Sequence, residues 1–166
     1  MLLVLAALLS APTAAVPFLE MSAGPLLLHK SGHAGLDSGP LVRLDAGLPL
    51  SERFAAELWA AGSMQAAPLG SQRGSGDQAL VGGGIGGRLL VHQFDAEGRL
   101  GLWARGGLGY LAATSGEGAY GPTGFGGAAL VFQPWVKRFA IGVEADAVGT
   151  RSALGLLILP TLRCSL

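Results

Sequence analysis

The chain has 166 residues with 11 basic and 11 acidic side chains, a formal net charge of zero that leaves no electrostatic footprint for nucleic acid. Half of the residues are hydrophobic and only 13% are charged, too apolar for a disordered chain; the 28 glycines show no G-X-Y period, which excludes collagen. The single cysteine, Cys164, excludes an internal disulfide and a cysteine-rich metal site.

Residues 1–15, MLLVLAALLSAPTAA, are apolar and end in small residues, the pattern of a secretory signal with a cut after Ala15, although the usual basic start is missing. This divides the chain into an export signal, 1–15, and one domain, 16–166. Downstream, no uninterrupted apolar run reaches the ~18–20 residues of a membrane-spanning helix. The longest, Ala153 to Leu162, is short and contains Pro160. An exported chain with a positive mean hydropathy of +0.48 needs another way to bury its apolar surface.

In chain order, apolar segments alternate with two kinds of break. Strands are predicted at about 18–28, 40–48, 53–64, 78–92, 99–113, 123–133, 138–149 and 153–166. Short turns at 49–52, 94–98 and 134–137 alternate with longer Gly- and Ser-rich breaks at 30–39, 66–77 and 114–122, and a brief break falls at 150–152. Eight strands with short turns on one side and longer loops on the other have the rhythm of an antiparallel membrane barrel. Their lengths meet the ~9–11 residues that a tilted strand needs to cross a bilayer.

The faces of the strands separate with a period of two. In Arg138 to Val148, the residues Phe139, Ile141, Val143, Ala145 and Ala147 form an apolar set, while Glu144 and Asp146 fall on the other face with Ala140 and Gly142. Elsewhere Arg43 shares a face with Asp45, Arg53 with Glu57, and Arg99 with Arg105. The faces opposite are uncharged. In a soluble sandwich or barrel the charged face would meet water and be rich in polar residues. Here that face is small and sparsely charged, with Gly82, Gly84, Gly86, Gly101, Gly107 and Gly109, which suits a crowded interior. The fold class expected is an all-β, eight-stranded antiparallel transmembrane β-barrel with lipid on its apolar face.

Aromatic residues sort by position. Phe18, Phe54, Phe94, Phe132, Trp135 and Phe139 fall near the short-turn ends, and Tyr110, Tyr120 and Phe125 near the long-loop ends. They are expected to form two interfacial belts. Trp59 and Trp103 fall mid-strand on the charged face and are expected to fill the interior.

The segments RFAAELWA (53–60), RLGLWARGGLGYLAA (99–113) and RFAIGVEADAVG (138–149), each following a short turn, resemble the small eight-stranded outer-membrane barrels of Gram-negative bacteria, the OmpA/OmpX/OmpW-like group. The terminal GLLILPTLRCSL (155–166) is similar to that group's last strand, except that the group usually ends on an aromatic residue and this chain ends on Leu166. A narrower resemblance is to small barrels of gliding-motility and envelope-spanning complexes. The resemblance implies residence in the outer membrane and contact with its lipid and with other envelope proteins; the even strand count then places both termini in the periplasm.

Nine charges are expected to face inward: Glu20, Arg43, Asp45, Glu57, Arg88, Arg105, Glu144, Asp146 and Arg163. An eight-stranded barrel is just wide enough for side chains to fill it, and buried charges are costly unless paired. The expected arrangement is therefore an interlocked plug without a continuous water channel. No catalytic, cofactor or metal residue is assigned. His29, Ser31, His33 and His92, with Asp37 as an orienting group, are the candidates for a lipid-modifying enzyme, but no spacing fixes their geometry. The run GGGIGG (82–87) lacks the following helix and the Lys-Ser/Thr pair of a phosphate loop. The function expected is that of a non-enzymatic structural anchor or interaction component of an envelope complex, in a motility or adhesion setting. The alternatives are passage of a small solute or hydrophobic compound, and lipid modification.

Overall fold

In a computed structural model, the chain forms eight strands. They are β1 (Phe18–Lys30), β2 (Leu36–Pro49), β3 (Phe54–Gln65), β4 (Gln78–Gln93), β5 (Leu100–Ala113), β6 (Gly121–Phe132), β7 (Phe139–Thr150) and β8 (Ala153–Ser165). The structure describes residues 16–30, 36–65, 78–113, 121–136, 138–151 and 153–166. The proposed export signal, Tyr120 and most of the three longer breaks lie outside these residues.

Each strand pairs antiparallel with its sequence neighbour, and β1 pairs with β8 to close the barrel. Closure leaves no free edge, which satisfies the backbone without water. The strands extend one to four residues beyond several of the predicted ends, because cross-strand pairing carries the ladder into the Gly- and Ser-containing flanks. The two ends of the described chain meet, with the Leu166 N–H donating to the Pro17 carbonyl at 2.9 Å. They lie at the same end of the barrel as the short turns.

Local chemistry shapes those turns. Between β2 and β3, the Ser51 hydroxyl accepts from the Phe54 N–H at 3.0 Å, and the Leu50 N–H donates to the Phe54 carbonyl at 2.9 Å. Between β4 and β5, the Asp95 carboxylate accepts the Leu100 N–H at 2.8 Å, while Gly98 takes a φ of 68° that side chains disfavour. Arg53 and Arg138, which the alternation places on strand faces, are exposed turn residues just before β3 and β7. A register shift between Leu90 and His92 bulges β4 against β5.

The alternation sorts the two surfaces. Leu44, Leu58, Ile85, Leu108, Ile141 and Leu156 point outward and are exposed. Among the described residues, no charged side chain joins this outward apolar surface; each lies in the lumen or a turn. The inward side chains form three layers. At the long-loop end, Leu26, Leu28, Leu41, Leu80 and Leu157 belong to one apolar cluster. Charged groups fill the middle. At the short-turn end, Ala129, Val131 and Ala140 pack with Trp103. The outer apolar layer is not evident from charge parity, which marks only the strand positions that carry charges.

Candidate functional site

The middle layer of the lumen contains all nine of the inward charges predicted from sequence. Seven strands supply them: Glu20 from β1, Arg43 and Asp45 from β2, Glu57 from β3, Arg88 from β4, Arg105 from β5, Glu144 and Asp146 from β7, and Arg163 from β8. Eight of the nine are buried; Arg163 is half-buried. Period-two geometry turns all of these side chains toward the barrel axis, where strands remote in sequence converge.

Arg105 is the hub. Its guanidinium donates to Glu144, to Glu57 at 2.9 Å and to Asp45 at 3.1 Å. Arg43 donates to Asp45 at 3.0 Å, to Asp146 at 2.9 Å and to Glu144. Arg88 grips Glu20 with two nitrogens, at 2.9 and 3.0 Å, and also donates to Glu57. Arg163 adds a bond to Glu20 at 2.8 Å. A planar guanidinium with fixed donor directions suits such sharing between carboxylates. Among the described residues, five atoms in or beside the network have no hydrogen-bond partner: Ser22 Oγ, Trp59 Nε1, Arg105 Nε, Asp146 Oδ1 and Arg163 Nη2.

The remaining strand, β6, contributes an aromatic ring. Phe125 lies 5.4 Å from the Arg43 guanidinium carbon and 5.9 Å from that of Arg105, and meets Trp59 edge-to-face at 5.7 Å. This corrects its assignment to an interfacial belt: Phe125 is a lumen residue. Strand β6 carries no charge to mark its inward face, and only its pairing, with Gly127 opposite Asp146, shows which parity points in. Phe18 is corrected in the same way. It is buried in the lumen, with its ring over Gly47 and against the guanidiniums of Arg88 at 4.8 Å and Arg163 at 4.5 Å. That position was legible, because Phe18 shares its parity with Glu20.

The other belt candidates point outward. Phe132, Trp135 and Phe139 are exposed and Phe54 is half-buried, all toward the short-turn end; Tyr110 is exposed toward the opposite end. Trp135 also stacks with Arg99, whose guanidinium lies 5.0 Å from its ring. Trp59 and Trp103 point into the lumen.

The two described histidines, His29 and His92, do not converge. His29 is exposed near the long-loop end of β1, whereas His92 is exposed near the opposite end of β4, with its ring edge-to-face on Phe94 at 4.8 Å. Ser31, His33 and the side chain of Asp37 lie outside the described residues. Above the charged layer, a cavity of about 40 Å³ is lined mainly by Leu26, Leu28, Leu41, Leu80 and Val148, with Arg43 and Phe125 also on its wall. Sequence reasoning missed this apolar compartment.

No protein family matches the chain, and no curated protein matches it. Solved structures do. Neisserial surface protein A (NspA) is similar with a TM-score of 0.67 at 13% identity, over 92% of this chain and 99% of that one. Ail, the attachment invasion locus protein of Yersinia pestis, is similar with a TM-score of 0.55 at 14% identity, over 91% and 99% of the two chains. The same protein in complex with the heparin analogue sucrose octasulfate gives 0.53 at 12% identity, over 91% and 99%. The chain thus has the closed antiparallel fold of the small eight-stranded outer-membrane β-barrels.

Proposed function

We propose that this protein is an integral outer-membrane anchor that acts through its surfaces and not through its lumen. One observation carries the reading: an apolar, charge-free outward surface surrounds an interior crossed by arginine–carboxylate bonds from seven strands. A wall of exposed leucine, isoleucine and valine is stable against lipid and costly against water. A lumen whose polar groups bond one another has few left to solvate a passing solute.

In this reading residues 1–15 direct export, the short turns and both termini face the periplasm, and the long loops face outward. The loops and turns are then the parts free to contact other envelope or surface molecules. The likeness to proteins named for the cell surface and for attachment is in keeping with contact at the cell surface more than with a motility apparatus. The function proposed is non-enzymatic.

The test has two arms. Membrane fractionation should place the mature protein in the outer membrane, with the heat-dependent gel mobility of a folded barrel; recovery as a soluble periplasmic protein would overturn the reading. In planar bilayers the purified barrel should show no sustained conductance. A nanosiemens-scale channel would favour solute passage instead. Cross-linking in intact cells through cysteines placed in the outer loops should capture a discrete envelope or surface component.

A further inference from the structure

The charges of the lumen network do not balance. Among the described residues, five carboxylates (Glu20, Asp45, Glu57, Glu144 and Asp146) face four guanidiniums (Arg43, Arg88, Arg105 and Arg163). Guanidiniums keep their charge at any accessible pH, so the layer carries one surplus negative charge if every acid is ionised. An uncompensated charge in a buried, low-dielectric interior is strongly unfavourable.

The hydrogen bonds show where the surplus lies. Both oxygens of Glu20, Asp45, Glu57 and Glu144 accept an arginine N–H. Asp146 Oδ2 accepts from Arg43 at 2.9 Å, but Asp146 Oδ1 accepts nothing from the described residues. That oxygen is buried in a residue only 2% exposed. It rests against Gly127 of β6, where an added Cβ would overlap both Oδ1 and the Ala145 carbonyl oxygen. On the β6 side there is less room than a methyl group needs, so no hydrated metal ion fits between Oδ1 and that strand, whereas a proton needs no such room. Glu144, next inward on β7, shares the Arg43 guanidinium with Asp146. Among the described residues no N–H donates to Oδ1: β6 offers Gly127 and Phe125, β8 pairs Leu157 with Asp146, Arg43 bonds the other carboxylate oxygen, and Arg105 of β5 is engaged with Glu144, Glu57 and Asp45.

We propose that the buried charged layer of the lumen is a binding site for one proton, taken from solvent and held by the Glu144–Asp146 pair with Asp146 Oδ1 as its free oxygen. The proton makes the layer neutral. It also leaves four carboxylates for four guanidiniums, so the plug holds together without a counterion from either side of the barrel. The inference concerns the interior alone and stands whether or not the surfaces act as an anchor.

Infrared spectroscopy of the purified, folded barrel in detergent at neutral pH tests this. The wild type should show the carbonyl band of a protonated carboxylic acid, shifted by deuterium exchange. Asp146→Asn removes the surplus charge and keeps the shape, so it should fold, retain its heat-dependent mobility and lose the band. A wild-type spectrum without the band overturns the proposal, as does a band that survives in Asp146→Asn. So does a wild-type melting temperature that rises with sodium at constant ionic strength, which would mean a metal ion supplies the missing charge. Should Asp146→Asn fail to fold, the wild-type band and its sodium independence still decide.

Discussion

Arg43 and Glu144 stand 101 positions apart in the chain, yet the guanidinium of one donates directly to the carboxylate of the other inside the lumen. Strand β2 and strand β7 are not neighbours around the wall. Their contact exists only because the sheet closes and both side chains point at the axis. The network is therefore a readout of closure, and it should respond to the loss of any arginine at its centre.

Arg105→Met is the sharpest such change. It leaves Glu57, Glu144 and Asp45 without their shared partner. Breaking a buried ion pair from one side costs about 3–5 kcal/mol. Urea unfolding of the barrel in lipid vesicles should show a loss of this size. Arg163→Met, at a half-buried position with a single bond to Glu20, should cost less.

The outward surface predicts its own solvent. Leu58 is 62% exposed and pairs with Ile85, itself next to Leu108, on the outer face. If that face meets lipid, Leu58→Arg should destabilise the barrel by about 2–4 kcal/mol. If it meets water, an exposed substitution would fall within about 0.5 kcal/mol of wild type. The same vesicle unfolding assay separates the two.

Two glycines of the neighbouring strands β4 and β5 should respond oppositely. A Cβ at the inward Gly84 would overlap the Leu108 carbonyl of the paired strand, whereas at the outward Gly106 the nearest atom, the Phe125 carbonyl oxygen, is 3.4 Å away. Gly84→Ala should cost about 1–3 kcal/mol by forcing the strands apart. Gly106→Ala should be close to neutral, with the gain from a less flexible unfolded chain below about 1 kcal/mol.

The β4–β5 turn carries a pH dependence. The Leu100 backbone N–H, followed by smaller contributions from the Arg99 backbone and guanidinium, holds the half-buried Asp95 carboxyl below its usual range. A depressed folded value means the stabilisation is present above the unfolded value of about 3.9 and is lost as pH falls through the lower folded value. Protease cleavage at this turn should increase on acidification below that range. Asp95→Asn should flatten the response.

The strand count, the alternation of faces and the set of inward charges were legible in the sequence. Each depends on local spacing: a strand repeats every two residues, and a charge marks the face it lies on. Thus Glu144 and Asp146 identified the inward face of β7, and Arg43 with Asp45 that of β2. Where a strand carries no charge, this marker is absent, and so Phe125 on β6 was misassigned to a belt although its ring rests on Arg43 and Arg105. Phe18 carried the marker through Glu20, but its position at the strand end argued for a belt. Tertiary structure alone decided which carboxylate meets which guanidinium, that an apolar compartment lies above the charged layer, and that Asp146 Oδ1 is left without a donor. Parity sets the direction a side chain points along its own strand. Partnership depends on the height and angular position of residues across the lumen, and these exist only once register and closure bring eight strands around one axis.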